Sequence, residues 1–463
     1  MKQVYLDTFG CQMNVADTDR MELLLFHSGY IRTGEVQDAD LVLINTCSIR
    51  DKAEQKIYSL ARNLKPLKEA NPSLILGFTG CLAQQEGEQF LEKMPFVDLV
   101  IGPDGVEHIV RVVDEVKEKK VPVVRTQFDT DTNYKIPELS GETPLKPGST
   151  TFVNIIKGCD KYCTFCVVPF TRGREKSREA EEIEQEVRLL VSRGAREIIL
   201  LGQNVNAYGK RGLKRPIPFH ELLYRVASIP GLKRLRFTTS HPKDFTRECI
   251  SAYQDLDILV NHLHLPVQSG NNRILKEMRR MHTVEEYISI IEELKTVVPD
   301  MGLSTDIIVG YPGESESEFE DTLALMGKIK FNNSYMFSYS PRPNTPAQDF
   351  PDSVPQSVKS ARLQRTIELQ KKLTLEQGEK FIGKEVDVLV ESESFKPGAD
   401  FKGRNAQYWS VNFTGDKRRI SPGDMVKVVV EEASGHMLRG RGVLSRKNDK
   451  LKIEGSKAAV PAG

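Results

Sequence analysis

Three times within the first 81 residues a short, apolar, β-rich run ends on a cysteine: "VYLDTFGC" reaches Cys11, "LVLINTC" reaches Cys47 and "LILGFTGC" reaches Cys81. A polar segment able to start a helix follows each one: "NVADTDRMELLLFHSG", "SIRDKAEQKIYSLARNL" and "LAQQEGEQFLEKM". The cysteines stand 36 and 34 residues apart, about one strand–helix–strand unit each. Strands joined by right-handed crossovers run parallel, so all three carboxyl ends should share one edge of one sheet. That edge is where open α/β sheets bind ligands. A lone cysteine there is usually a buried, inert side chain. Three at the same post-strand position predict a metal site, carried by a domain spanning residues 1–120.

The stretch "KGCDKYCTFC" (157–166) places Cys159, Cys163 and Cys166 within eight residues. A structural zinc site takes four ligands from Cys and His, yet no histidine lies between residues 109 and 219. Three thiolates suit a cube of four irons and four sulfides, each thiolate holding one iron and the fourth iron staying open to chelate a cofactor or substrate. The same reasoning applies to Cys11, Cys47 and Cys81, which also lack a fourth ligand. Cys249, the seventh cysteine, fits neither trio and reads as structural. The odd count argues against a disulfide framework and for thiols kept reduced in the cytosol. No run of about 18 uncharged apolar residues is present to span a membrane, and the N-terminus does not read as a secretory signal. The protein is therefore expected to be cytoplasmic, with no membrane partner.

Past a linker placed at 121–147, six β-rich runs alternate with helical stretches: "FVNIIKG", "REIILLGQN", "RLRFTTS", "LVNHLHLPV", "GLSTDIIVGYPGE" and "SYMFSYSP". Amphipathic segments such as 177–194, with a Ser cap and acidic first turn, and 315–330 lie between them. Six such units over 148–376 predict a partial parallel barrel, whose chemistry sits at the carboxyl ends of its strands. The first cysteine loop follows the first of these strands.

From 377 to 445 the pattern changes to short alternating strands, as in a small β-barrel. Between 401 and 452 twelve Lys and Arg face five Asp and Glu. Overall the chain carries a formal charge of +1, so this basic cluster is local. It predicts phosphate contacts and RNA binding through Arg404, Lys417, Arg418, Arg419, Arg439 and Arg441. Arg172, Arg174, Lys176 and Arg178 make a second basic run after the clustered cysteines. These can grip RNA or a cofactor carboxylate, or pair with Glu175 and Glu179. Residues 446–463 are expected to be a flexible tail.

C-x3-C-x2-C, with Phe165 just before its last cysteine, resembles the radical S-adenosylmethionine enzymes. A three-cysteine parallel-sheet domain ahead of it is the layout of the methylthiotransferases. "TFGCQMN" (8–14), "NTCSIRDKAEQK" (45–56) and "GCDKYCTFCVVPFTRGREKSR" (158–178) are similar to the transfer-RNA-modifying branch of that family, and the resemblance runs from residue 1 to about 445. It implies an α/β protein. The parts are a Rossmann- or flavodoxin-like N-terminal sheet, a partial (β/α)6 radical-SAM barrel and an OB-like C-terminal barrel similar to the TRAM module. Asn405 departs from the family pattern, which more often has Thr there.

The resemblance also implies two [4Fe-4S] clusters. The cluster at Cys159, Cys163 and Cys166 would make a 5'-deoxyadenosyl radical from one S-adenosylmethionine. The other, at Cys11, Cys47 and Cys81, would supply sulfur methylated by a second S-adenosylmethionine. The outcome would be a methylthio group at carbon 2 of N6-isopentenyladenosine 37, beside the tRNA anticodon. An aromatic C–H bond with no acidic proton is beyond general acid–base groups, which makes a radical route reasonable. Implied cofactor contacts are Phe165, Gly202, Gln203, Asn204, Ser240, Gln268, Asp306 and Ile308. Implied partners are the tRNA anticodon loop, an electron donor such as flavodoxin or ferredoxin, and an iron–sulfur or sulfur supply protein; a monomer is expected. Within the family the target can instead be threonylcarbamoyladenosine in tRNA or a ribosomal-protein aspartate. Outside it, the chain can be an RNA-binding protein whose clusters are not catalytic.

Overall fold

A computed structural model of the chain describes residues 1–48, 51–128, 147–351 and 353–443. The expected tail and residues 129–146 of the expected linker lie outside the described residues.

The N-terminal sheet is parallel throughout, with strands β1 (Lys2–Thr8), β2 (Tyr30–Arg32), β3 (Leu41–Thr46), β4 (Ile75–Gly80), β5 (Leu99–Ile101) and β6 (Val123–Arg125) in the order β2–β1–β3–β4–β5–β6. Every residue of β3 and β4 is buried. Helices cover both faces of the sheet, which is why these strands read as continuous apolar runs and not as alternating ones. Helices α1 (Gln12–His27) and α5 (Ile109–Lys119) pack Met21, Leu25, Val112 and Val113 on one face; α2 (Asp51–Ala70) and α4 (Glu88–Lys93) pack Ile57, Ala61 and Phe90 on the other.

Two details differ from expectation. Strand β6 falls inside the stretch assigned to the linker, because three residues pairing with β5 leave no apolar run to notice. The third helix starts on Cys81 itself and breaks at Gly87 into α3 (Cys81–Glu86) and α4.

The three cysteine-bearing strands, β1, β3 and β4, are neighbours in the sheet. Thr8 pairs with Asn45 and Thr46 with Gly80, so their carboxyl ends are level. Cys47 and Cys81 are each the next residue after one of that last pair.

The central domain holds all six expected strands: β7 (Thr150–Asn154), β10 (Glu197–Leu201), β11 (Arg234–Thr238), β12 (His262–His264), β13 (Gly302–Val309) and β14 (Asn333–Ser338). The strands β7, β10 and β11 form one parallel sheet and β12, β13 and β14 another. A single bridge, Leu235 to Leu259, joins them into one arc. Among the described residues β14 does not pair with β7, so the barrel is open. Outside the arc lie α7 (Ala180–Ser192), α8 (Phe219–Ala227), α9 (Arg247–Asp255), α11 (Val284–Val297) and α12 (Glu316–Ile329). Ser315 caps α12 reciprocally with Glu318. Ser177, expected to cap α7, lies instead in a two-residue strand, β9 (Lys176–Ser177), paired with β8 (Ile156–Lys157); its hydroxyl accepts from the Gly209 N–H. Cys249 is buried on α9 in the barrel core, as expected of a structural thiol.

Helix α13 (Gln356–Glu379) leads into a closed five-stranded barrel. Its strands are β15 (Glu385–Glu393), β16 (Phe401–Arg404), β17 (Ser410–Thr414), β18 (Met425–Ser434) and β19 (Met437–Val443), in the order β15–β16–β17–β19–β18. It docks on the central domain through Arg234, which donates to the carbonyls of Arg404 at 2.6 Å and Asp387 at 2.7 Å. Beside this, the guanidinium groups of Arg236 and Arg404 lie over the Tyr408 ring, at 4.1 and 4.2 Å from its centre. Asn405 is fully buried and accepts from the Trp409 N–H at 2.8 Å, a turn-forming role.

Candidate active site

A cavity of about 620 Å³ opens where the edge of the N-terminal sheet meets the carboxyl ends of the barrel strands. Cys11, Cys81, Cys159, Cys163 and Cys166 line it. Cys47 is buried behind it, and its neighbour Ser48 reaches the wall. The eight residues expected to meet the cofactor, Phe165, Gly202, Gln203, Asn204, Ser240, Gln268, Asp306 and Ile308, all line the same cavity.

At the N-terminal end, two asparagines tie the start of α1 at Cys11 to the end of β3, and the Thr46 hydroxyl donates to the Thr79 carbonyl of β4. The Asn14 Oδ1 accepts from the Cys11 N–H at 3.3 Å. Its Nδ2 donates to Asn45 Oδ1 at 2.9 Å and to the Thr46 carbonyl at 3.1 Å. Asn45 in turn donates to the Asn14 carbonyl and to Thr18 Oγ1. Both amides are buried, and so complete a set is what such groups require away from water. At Gly80, φ is +92° and a Cβ would stand 2.4 Å from the Thr46 carbonyl oxygen, so the approach to Cys81 requires glycine.

At the barrel end, Gly158 has φ +75°, and a Cβ there would stand 2.1 Å from the Arg174 carbonyl oxygen. The cysteine loop is pinned by Cys159 N–H to the Gly173 carbonyl at 3.1 Å, and by Thr164 to the end of helix α10 (Asn272–Glu277), N–H to Met278 and hydroxyl to Glu277. Lys161 pairs with Asp244 at 2.7 Å, and the Asn204 amide donates to the same carboxylate. Arg280 is buried and its Nη1 lies 3.5 Å from Cys163 Sγ.

Burial pushes the Cys81 and Cys159 thiols up and Cys166 up to about 12, each further raised by neighbouring thiols. Thiols in such a place become thiolates when a metal centre supplies the missing positive charge. Among the described residues no three Cys, His, Asp or Glu side chains close around one ion. A cube asks for something else, since each thiolate takes a different iron and the thiols need only ring a space wide enough for it. Asn204 Oδ1, Ser240 Oγ and Gln268 Oε1 are buried at the cavity without a hydrogen-bond partner. They are acceptors waiting for donors, of the kind an amino group and ribose hydroxyls provide. Gln268 also holds φ at +78°, a strained value for a residue with a side chain.

The basic residues divide. Arg172, expected to meet RNA, the cofactor or Glu175 and Glu179, is 5% exposed, lines the cavity and donates to Asp17 at 2.9 Å. It therefore joins the two domains beside Cys81, with a second buried pair, Lys157 to Asp104 at 2.9 Å, alongside. Arg178 is buried on Glu186 and the Asn154 carbonyl. Arg174 is exposed and pairs with Asp160, and Lys176 lies half-buried in β9. Arg404, also expected to bind RNA, packs on Tyr408 and pairs with Glu391, a domain-docking role. Lys417, Arg418, Arg419 and Arg441 are exposed, in surface pairs with Glu393, Asp416 and Glu431. Arg439 is half-buried near the Pro397 carbonyl.

Asn14, Asn45, Asp17 and Arg280 were not singled out from sequence. For the asparagines a signal existed: each is a polar residue within three positions of a cysteine at the end of an apolar strand. For Asp17 and Arg280 none did.

Residues 153–326 match the Radical SAM superfamily, residues 3–102 the Uncharacterized protein family UPF0004, and residues 379–443 the TRAM domain. A Clostridium botulinum (strain Okra / Type B1) protein described as tRNA-2-methylthio-N(6)-dimethylallyladenosine synthase is 42% identical over 443 residues, covering 95% of this chain and 97% of its own. Its namesake from Yersinia pseudotuberculosis serotype O:3 (strain YPIII) is 44% identical, with 98% and 94% covered. Among solved structures, the radical S-adenosylmethionine methyltransferase TsrM from Kitasatospora setae, with cobalamin and a [4Fe-4S] cluster bound, superposes with a TM-score of 0.56 at 13% identity, over 75% of this chain and 77% of that one. The cobalamin-dependent enzyme OxsB superposes with a TM-score of 0.52 at 12% identity, over 80% and 56%. These two likenesses concern the fold.

Proposed function

The chain belongs to the family of the tRNA-2-methylthio-N(6)-dimethylallyladenosine synthases, and from that membership we propose the division of labour inside its cavity. It is a tRNA methylthiotransferase of the radical S-adenosylmethionine type, with a [4Fe-4S] cluster and S-adenosylmethionine as cofactors. The proposed reaction places a methylthio group on carbon 2 of N6-isopentenyladenosine at tRNA position 37. Cys159, Cys163 and Cys166 hold one cluster, and Cys11, Cys47 and Cys81 a second. When bound, the first supplies a hydrogen-abstracting radical from S-adenosylmethionine and the second supplies methylated sulfur.

The observation that carries this reading is that five of the six cysteines open into one cavity together with every expected cofactor contact. The chain's own residues do the positioning. Gly158 and Thr164 fix the cysteine loop, and the Asn14–Asn45 network fixes the opposing strand ends. Asn204, Ser240 and Gln268 offer acceptors to the cofactor's donors. Met13, Val167, Val168, Ile308 and Met336 make the wall apolar, which keeps water and stray hydrogen donors from a reactive species. The exposed Lys417, Arg418 and Arg419 take phosphates, and the target base is unstacked to enter the cavity. The enzyme acts as a cytoplasmic monomer, reduced by a flavodoxin or ferredoxin and resupplied by an iron–sulfur or sulfur carrier protein.

Nucleoside mass spectrometry on tRNA from a strain lacking the gene tests the substrate. N6-isopentenyladenosine should accumulate and its 2-methylthio derivative should vanish. Retention of the methylthio nucleoside would refute the assignment.

A further inference from the structure

Arg280 is only 5% exposed and lines the cavity. Arg172, Arg178, Arg236 and Arg362 are buried to a similar degree and each meets a carboxylate, while the equally buried Arg234 donates to two backbone carbonyls of the C-terminal barrel. Arg280 meets a carbonyl and a sulfur: its Nη2 donates to the Pro266 carbonyl and its Nη1 stands 3.5 Å from Cys163 Sγ. No carboxylate among the described residues forms an ion pair with it, and its Nε is buried without a partner. A buried charge left uncompensated is costly, so the fold must gain by it elsewhere.

The turn carrying Arg280 is built to aim it inward. Arg279 and Met281, on either side, have φ of +56° and +57°, left-handed values that residues with side chains rarely take. The Arg280 N–H donates to the Leu275 carbonyl, and His282 Nδ1 lies 2.9 Å from the Arg280 carbonyl. The same helix end is bonded to Thr164, the residue next to Cys163. Guanidinium and cysteine loop are thus held as one unit.

We propose that Arg280 is a positioning residue that sets the reduction potential of the cluster held by Cys159, Cys163 and Cys166. Three thiolates leave a cube anionic, and uptake of one electron makes it more so. A fixed positive charge donating to a ligand sulfur stabilises the reduced form more than the oxidised one and raises the potential. The guanidinium also places beside Cys163 a positive charge that no carboxylate of the described residues pairs with. At the other trio, Arg172 is already neutralised by Asp17, so the two clusters sit in different fields. The inference rests on the proposed function only in requiring a cluster on these three cysteines.

The test is a reductive titration followed by EPR, without S-adenosylmethionine, on the full chain carrying Cys47→Ala and Cys81→Ala so that one cluster reports. Arg280→Gln should move the midpoint to a more negative potential, and Arg280→Lys, which keeps the charge, should move it less. An unmoved midpoint with full iron content overturns the proposal. So does a change confined to S-adenosylmethionine binding, which would give the arginine to the cofactor's carboxylate. If Arg280→Gln loses its iron, the chain with Arg280 intact, grown on 15N-arginine, carries the test. Pulsed EPR of the reduced cluster should then show a weakly coupled nitrogen that Arg280→Lys removes, and its absence overturns the proposal. Failure of any cluster to form with Arg280 present would refute the two-cluster reading instead.

Discussion

Arg172 of the central domain donates to Asp17 on α1 of the N-terminal domain at 2.9 Å, with the two side chains only 5% and 8% exposed. Removing one partner of a buried pair leaves an unmatched charge and costs about 3–5 kcal/mol. Asp17→Ala should therefore lower the urea midpoint, and Asp17→Leu with Arg172→Met should recover part of the loss. Additive single and double effects in a double-mutant cycle would mean that the two residues are not coupled.

The two cysteine trios make separable predictions. Cys163→Ala should abolish release of 5'-deoxyadenosine from S-adenosylmethionine under reducing conditions. Cys47→Ala should leave that release measurable while ending methylthio transfer to tRNA. Iron and acid-labile sulfide after anaerobic reconstitution should fall by about half in either variant, as expected for two cubes each held by three thiolates. Normal turnover by Cys47→Ala would remove the second cluster from the scheme.

His282 gives a pH dependence. Burial, with Arg280 close by, holds its imidazole down at about 4 against an ordinary 6.5, and the buried His241 beside it is held down for the same reasons. Between those two values the unfolded chain binds a proton that the folded protein refuses. Stability is therefore complete above pH 6.5 and falls as pH drops towards 4, by up to about 3 kcal/mol from this one group. Denaturant midpoints at pH 7 and pH 4.5 should converge in His282→Gln relative to the unmutated protein.

On the C-terminal barrel, surface pairs such as Lys417–Glu393 and Arg418–Asp416 are open to water and salt and hold only weakly, so a phosphate can displace them. Replacing Lys417, Arg418 and Arg419 by Ala should weaken tRNA binding and flatten its logarithmic salt dependence by roughly 2, at about 0.7 per lost phosphate contact. Arg404→Ala should leave that slope unchanged and lower the unfolding midpoint, because its guanidinium serves the docking of Tyr408.

The cysteine trios were legible because their chemistry is local or periodic: one lies within eight residues, and the other falls at the same point of three strand–helix units. The eight cavity-lining positions named for the cofactor followed from the resemblance. Arg172, by contrast, sits in a basic run with Arg174, Lys176 and Arg178, and nothing in that run tells which side chains turn inward. The short helix α6 (Val168–Thr171) and the β8–β9 pair decide it, sending Arg172 and Arg178 into the interior and Arg174 out. The packing of Arg404 on Tyr408 was not legible for a related reason, since charge counting cannot distinguish a phosphate-facing arginine from one lying over a ring of the same domain. Arg280 depends on two residues in left-handed conformations, a property of the folded backbone and not of any motif.

The ring of Tyr408, with arginines from two domains close over it, ties the last domain to the central one. That docking sets the reach from its basic loop to the cavity. If Lys417, Arg418 and Arg419 take tRNA phosphates as proposed, a nucleotide would be selected by where it falls along that span, as a caliper selects by width.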